Sequence, residues 1–378
     1  MEFRLILKKI DNSLNAEERK TFDAWYSESE AHRIYFNRVQ ENYTKGLDVF
    51  DIEQGWDKVS SKTRNRRKKF FHLKSAAAIT ILVTTGFIWF TSTETTEKQI
   101  LEDTPVVEQS AIEIGSDKAV LTLEDGSKIT LGKGETFKTD KASSNGEQLI
   151  YNGIQKPSEN TITTNTLTTP RGGQFFIVLA DGTKVWTNSE TQLKYPVSFN
   201  ANKTREVELI YGEAYFEVSP SMENNGTHFI VKAEGQEVDV LGTEFNIKAY
   251  IGDDHVYTTL VEGKVLIKHG NDSKNLTPGH QSRLQPGSNE LVINEVDVYE
   301  EISWKDGLFS FKNRSLEDIM TVLSRWYDVD VVFHNDALKK IKFNGVFRKS
   351  LQIDEILDII KNTNEVNYEI NGKTITMK

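Results

Sequence analysis

One segment of this 378-residue chain has residue types that could do chemistry on the chain itself: Val240-Leu241-Gly242-Thr243-Glu244-Phe245. Glycine tolerates backbone conformations that other residues avoid. A distorted Gly242–Thr243 peptide would offer its carbonyl carbon to the Thr243 hydroxyl. Attack would give an ester by an N-to-O acyl shift, and water would then cleave that ester. Gly-Thr within an apolar strand is more commonly a bulge, and spacing leaves both readings open.

Other chemistry is sparse. The chain has no cysteine, which excludes a disulfide framework, a thiolate zinc site, an iron–sulfur cluster and a cysteine nucleophile. Its seven histidines are scattered, with no pair at metal-ligand spacing. Gly132-Lys133-Gly134 lacks the third glycine and the helix of a dinucleotide loop, so it reads as a turn, and no Gly-x-Ser-x-Gly elbow occurs. No metal and no cofactor is expected, and no enzyme activity beyond self-cleavage.

The elements that would position Gly242 and Thr243 form a multi-domain chain. Its apolar fraction of 37% is enough for real cores. Residues 1–62 carry 10 Lys/Arg against 12 Asp/Glu, whereas residues 63–74 carry 6 basic and no acidic side chains. The uncharged run Ala76–Phe90 follows, 15 residues long. A helix needs roughly 20 residues to cross about 30 Å of hydrocarbon. Phe70, Phe71 and Leu73 extend the run at one end, with Lys74 snorkelling, and Trp89 suits the interface at the other. Residues 75–91 therefore read as one transmembrane helix, with the basic strip 63–74 held on the cytoplasmic side. The expected topology is single-pass, with residues 1–74 cytoplasmic and residues 91–378 outside. More than 70 residues precede the run, so it is not expected to be a cleavable signal peptide.

Residues 1–62 show helical spacing: Phe3, Ile6 and Ile10; Phe22, Trp25 and Tyr26; Phe36, Val39 and Tyr43; Ile52, Trp56 and Val59. Asn15-Ala16-Glu17-Glu18 has the form of a capping box. Four short helices bury little surface alone, so their aromatic faces either pack together or await a partner. The piece is acidic overall, which argues against direct nucleic-acid binding.

Residues 92–118 are polar and acidic and read as a linker. From 119 to 300 the period is two, with frequent turn signals, giving an all-β domain, sandwich or solenoid-like. Val120–Leu131 and Phe175–Thr187 share Leu-x-Asp-Gly-(Ser/Thr)-Lys-(Ile/Val), offset by 56, each turning at Asp-Gly. Residues 139–160, rich in Lys, Ser, Asn and Gly, read as a loop. Residues 301–378 read β-α-β-β-α-β-β, an α+β module, with Ser315 capping its first helix and a hairpin at Asn371-Gly372.

These strings resemble FecR-type transmembrane anti-sigma factors along nearly the whole chain. The resemblance lies in LILKKIDNSLNAEERKTFDAWYSESEAHRIYFNRV, TPRGGQFFIVLADGTKVWTNSETQLKYPVSF, YGEAYFEV and HFIVKAEGQEVDVLGTEFNIKAY. Residues 307–378 resemble the short signalling modules of secretins and outer-membrane receptors. The resemblance implies that residues 1–62 bind an extracytoplasmic-function sigma factor, with Phe22, Trp25, Tyr26 and Trp56 on the binding side. It implies a periplasmic signal from the signalling domain of a TonB-dependent outer-membrane transporter. It also implies self-cleavage between Gly242 and Thr243, followed by periplasmic and intramembrane proteases. Two rival readings are a membrane-tethered DNA-binding activator and a membrane-anchored glycan-binding module using Trp186 and Tyr195.

Overall fold

The computed structural model describes residues 3–10, 13–28, Arg33, Phe36, 112–151, 163–288, 290–363 and 366–378. The chain divides into two compact units, Met1–Asp103 and Thr104–Lys378.

In the first unit, α1 (Phe3–Ile10) and α2 (Ala16–Glu28) form a helical pair. The capping box forms as the sequence predicts: the Asn15 side chain accepts from the Glu18 amide at 2.9 Å, and Glu18 Oε2 accepts from the Asn15 amide at 3.0 Å. Phe22 sits at the centre of the aromatic cluster, 2% exposed, with ring centroids 5.7 Å from Tyr26 and 5.1 Å from Phe36. Val39, Tyr43, Trp56, the basic strip and the apolar run 75–91 lie outside the described residues. Among the described residues, no helix is long and apolar enough to cross a membrane.

The second unit opens with eighteen strands. These are β1 (Ser116–Thr122), β2 (Lys128–Gly132), β3 (Phe137–Lys138), β4 (Ala142–Ser144), β5 (Gln148–Tyr151) and β6 (Thr164–Thr169). Next come β7 (Gly173–Val178), β8 (Lys184–Thr187), β9 (Thr191–Pro196), β10 (Arg205–Glu217), β11 (Phe229–Ala233) and β12 (Gln236–Val240). The last are β13 (Glu244–Ala249), β14 (Val256–Glu262), β15 (Val265–His269), β16 (Asp272–Leu276), β17 (His280–Leu284) and β18 (Leu291–Glu295).

They form two layers. One runs β2-β1-β6-β9-β10-β11-β12-β15-β16. The other runs β3-β4-β5-β7-β8-β10-β13-β14-β17-β18. β10 belongs to both: it bends at Gly212, whose φ of +101° and close approach to Thr191 admit no Cβ. Alternate residues of the two sheets meet in one core, with Leu121, Leu193 and Val231 from one layer and Phe175, Phe216 and Phe245 from the other. Each fully buried side chain of this kind contributes about 1.5–3 kcal/mol.

Two expectations change. Residues 139–160 are not simply a loop, because β4 and β5 lie within them and bury Ala142, Ser144, Leu149 and Tyr151 in alternation. The stretch read as linker to residue 118 ends earlier: β1 begins at Ser116, and Ile112 and Ile114 already pack on a core.

That core belongs to the C-terminal α+β module. Its elements are α3 (Val298–Ile302), β19 (Leu308–Ser315), α4 (Leu316–Tyr327), β20 (Asp330–Phe333), α5 (Asp336–Lys339), β21 (Lys342–Arg348), α6 (Ile353–Thr363), β22 (Tyr368–Asn371) and β23 (Thr374–Met377). β19 pairs with β21, and β20-β23-β22 form a second small sheet. Ser315 caps α4 by accepting from the Asp318 amide at 3.1 Å. Leu316, Ile319, Met320, Leu323 and Trp326 bury one face of that helix, at the predicted three-and-four spacing.

Candidate functional site

Gly242 and Thr243 occupy the step by which the chain leaves β12 in one layer and enters β13 in the other. Gly242 has φ +145°, and a Cβ there would come 3.0 Å from Pro220 Cα. Both the conformation and the space require glycine. The bulge also exists: the β13–β14 register slips between Glu244 and Phe245, one residue beyond the pair. The bulge thus lies beside Gly242–Thr243 and not on it.

The step is tightly framed. Leu241 accepts from the Ser221 amide at 2.6 Å, and the Thr243 carbonyl accepts from the Val218 amide at 3.1 Å. Thr243 is 5% exposed, and its hydroxyl donates to the Lys264 carbonyl at 3.0 Å. Gly263 lies on the other side. A Cβ on Gly263 would fall 2.8 Å from Thr243 Oγ1 and 3.0 Å from the Gly242 carbonyl oxygen. The β14-to-β15 turn thus presses bare backbone against the Gly242–Thr243 peptide.

An ion pair that sequence reasoning missed holds the frame. Arg205 and Asp181 pair at 2.7 Å with side chains 1% exposed. Arg205 also donates to the carbonyls of Ser219 and Thr227, each at 3.0 Å. Ser219 precedes Pro220, so the pair pins the segment lying against Gly242. The repeated Asp-Gly hairpin was the available signal. Asp125 and Asp181 both accept from the amide and hydroxyl two residues on. Only Asp181 is buried and paired with an arginine.

The other predicted residues separate. Phe22 is core, while Trp25 and Tyr26 are half-buried beside it; Trp56 lies outside the described residues. Tyr195 is buried with its hydroxyl 3.2 Å from that of Tyr151. Trp186 packs between Phe176 and Tyr215 at ring distances of 4.7 and 5.7 Å. Tyr195 is thus a core residue, whereas Trp186 is half-buried with its ring packed against its neighbours. Among the described residues, no cluster of three or more acidic or histidine side chains could hold a metal ion.

Residues 165–266 match the FecR protein family, and residues 308–377 match the FecR C-terminal family. Two crystal structures of a "putative anti-sigma factor" from Parabacteroides distasonis ATCC 8503 share the fold. Each is 25% identical, with TM-scores of 0.51 and 0.50, covering 56% and 57% of this chain and 98% of theirs. Comparison with curated proteins finds no match. The chain therefore carries a FecR domain and a FecR C-terminal domain, and these matches together with the two structural neighbours support an anti-sigma factor role.

Proposed function

We propose that this chain is a single-pass inner-membrane anti-sigma factor whose residues 1–62 bind an extracytoplasmic-function sigma factor. The FecR and FecR C-terminal matches, joined to a small helical piece before a basic strip and an apolar run, support this reading. In it, residues 75–91 cross the membrane, and the two-layer domain and the α+β module face the periplasm. The signalling domain of a TonB-dependent outer-membrane transporter supplies the input. Pull-down of a sigma factor by the full chain, lost on Trp25→Ala with Trp56→Ala, tests the binding. Alkaline phosphatase fused after Ser92 tests the orientation, and a dead reporter overturns it.

The release step we place at Gly242–Thr243. Thr243 Oγ1 attacks the Gly242 carbonyl carbon, the C–N bond breaks, and the hydroxyl proton passes to the departing Thr243 nitrogen. The ester then takes up water, leaving a Gly242 carboxylate and a free Thr243 hydroxyl. Gly242 with φ +145° and the side-chain-free backbone of Gly263 beside its carbonyl support this choice of bond. Periplasmic and intramembrane proteases then remove the remainder. Two fragments on a denaturing gel from wild type, and one intact band from Thr243→Ala, are the expected result.

A further inference from the structure

The α+β module does not hang from the end of the two-layer domain; it is bolted to it beside the segment that enters β1. The bolt is an exchange of arginines. Arg171, in the turn before β7, donates to the Ser324 carbonyl at 3.1 Å and to that of Val329, and pairs with Asp328 at 3.3 Å. It thereby places a cation at the carbonyl end of α4, where the helix dipole favours one. Arg325 of α4 reaches the other way, to Glu190 and Asp253, each at 3.2 Å. Its guanidinium lies 3.6 Å from the centre of the Tyr250 ring. Lys349 completes the joint: it donates to Gln174 at 2.8 Å and lies 3.7 Å from the centre of the Trp326 ring.

Residues 112–117 run through this joint. Ile112 and Ile114 pack on the module core. Gly115 lies so close beneath Trp326 that a Cβ would come 2.5 Å from the indole ring. The Ser116 amide donates to the Gly172 carbonyl at 3.0 Å, while the Gly172 amide donates to Arg325 at 2.7 Å. One residue of the two-layer domain, Gly172, thus ties the segment to the end of α4. Undocking the module would strip residues 112–115 of their cover, while Ser116 and Asp117 keep their pairing with Gly173 and Gln174 of β7.

We propose that residues 112–115 are a proteolytic processing site masked by the docked α+β module, and that displacing the module exposes it. A protease must draw several residues into an extended conformation, so cutting tracks the population in which the segment is free. Hydrolysis there adds one water across a peptide bond and severs the whole outer unit from the residues before it. The latch is mostly charged and hydrogen-bonded, of the kind that a competing partner can displace without unfolding either domain. The inference deepens the staged-cleavage reading, which assigns its use in the cell; the masking is a property of the fold.

The full-length protein in detergent is exposed to trace thermolysin, and cuts are located by fragment mass. Arg171→Ala with Arg325→Ala is expected to raise cutting within 112–115 about tenfold, in proportion to the opened population. Amide exchange of the same residues should rise with it, with cutting elsewhere in the two-layer domain unchanged. Unchanged cutting while exchange reports α4 uncovered overturns the proposal. Asp253→Arg, which sets a second cation against Arg325, repeats the comparison should the double variant fold poorly; equal cutting in it and wild type, with α4 exchange raised, also overturns the proposal. Failure of sigma-factor release in cells would leave these rates as they are, so the two ideas fall separately.

Discussion

The hydroxyl of Thr243 donates to the main-chain carbonyl of Lys264 across 3.0 Å, and the residue before that lysine is a glycine whose missing side chain leaves room for the contact. In the resting protein the would-be nucleophile therefore points its proton at a carbonyl on the neighbouring crossing. Self-cleavage requires that bond to be released and the oxygen turned onto Gly242.

Gly263 is accordingly expected to matter to cleavage as much as the pair it touches. Gly263→Ala adds a methyl where φ is +95° and the nearest oxygen of Thr243 would be 2.8 Å away. Fragment formation should fall at least as far as in Thr243→Ala, whereas Thr243→Ser should still cleave. Loss of stability should stay near about 1–3 kcal/mol, the usual cost of such strain. Gel densitometry beside a thermal melt separates the two effects; normal cleavage in Gly263→Ala would remove this turn from the mechanism.

Arg205→Ala leaves the Asp181 carboxylate buried with its ion-pair partner gone. Breaking such a pair from one side costs about 3–5 kcal/mol. Denaturant unfolding should show that loss, and replacing both residues by apolar ones of similar size should recover much of it. A loss below about 1 kcal/mol would mean the pair is far more solvated than its burial indicates.

Lys349 predicts a pH dependence. It is 4% exposed, and burial pushes its ammonium pKa down to about 7, against the weaker pull of Glu213 and Asp117. Between about pH 7 and 9 the unfolded chain then binds more protons than the folded one, so stability rises with pH across that window and is flat just below it. Lys349→Met keeps the length of the side chain and removes the charge. Its melting temperature should exceed that of wild type at pH 7 and lose the rise towards pH 9. A wild-type profile falling from pH 7 to 9 would contradict this account.

In the helical pair, packing and binding should come apart. Phe22→Ala hollows out the cluster around a 2%-exposed ring and is expected to abolish both helicity and sigma-factor binding. Trp25→Ala, at a half-buried position, should weaken binding while leaving most of the helical circular dichroism. Asn15→Ala should cost about 1 kcal/mol through the lost cap. Equal loss of helicity in Phe22→Ala and Trp25→Ala would put both rings in the core.

Much of this architecture was legible because its signals are local. Asp125-Gly126 and Asp181-Gly182 announce hairpins through side chains that bond their own turns, and Ser315 announces the start of α4. The strands around Ala142 and Leu149 escaped because their residues are short and polar, and only their alternation of burial marks them. The Asp181–Arg205 pair and the arginine exchange escaped for another reason. Their partners lie 24 and between 72 and 158 residues apart, and nothing in a Pro-Arg-Gly-Gly turn tells which helix end it will hold.

β10 threads both layers, and it pairs with β13 just as β12 pairs with β15. Those partners stand on opposite sides of the Gly242–Thr243 bond. A nick there divides the polypeptide yet leaves the halves clasped like interlaced fingers, so the nicked molecule remains one body that carries tension. The bond's scission would arm the molecule; parting the halves would take mechanical work or an unfoldase to peel one strand from the next.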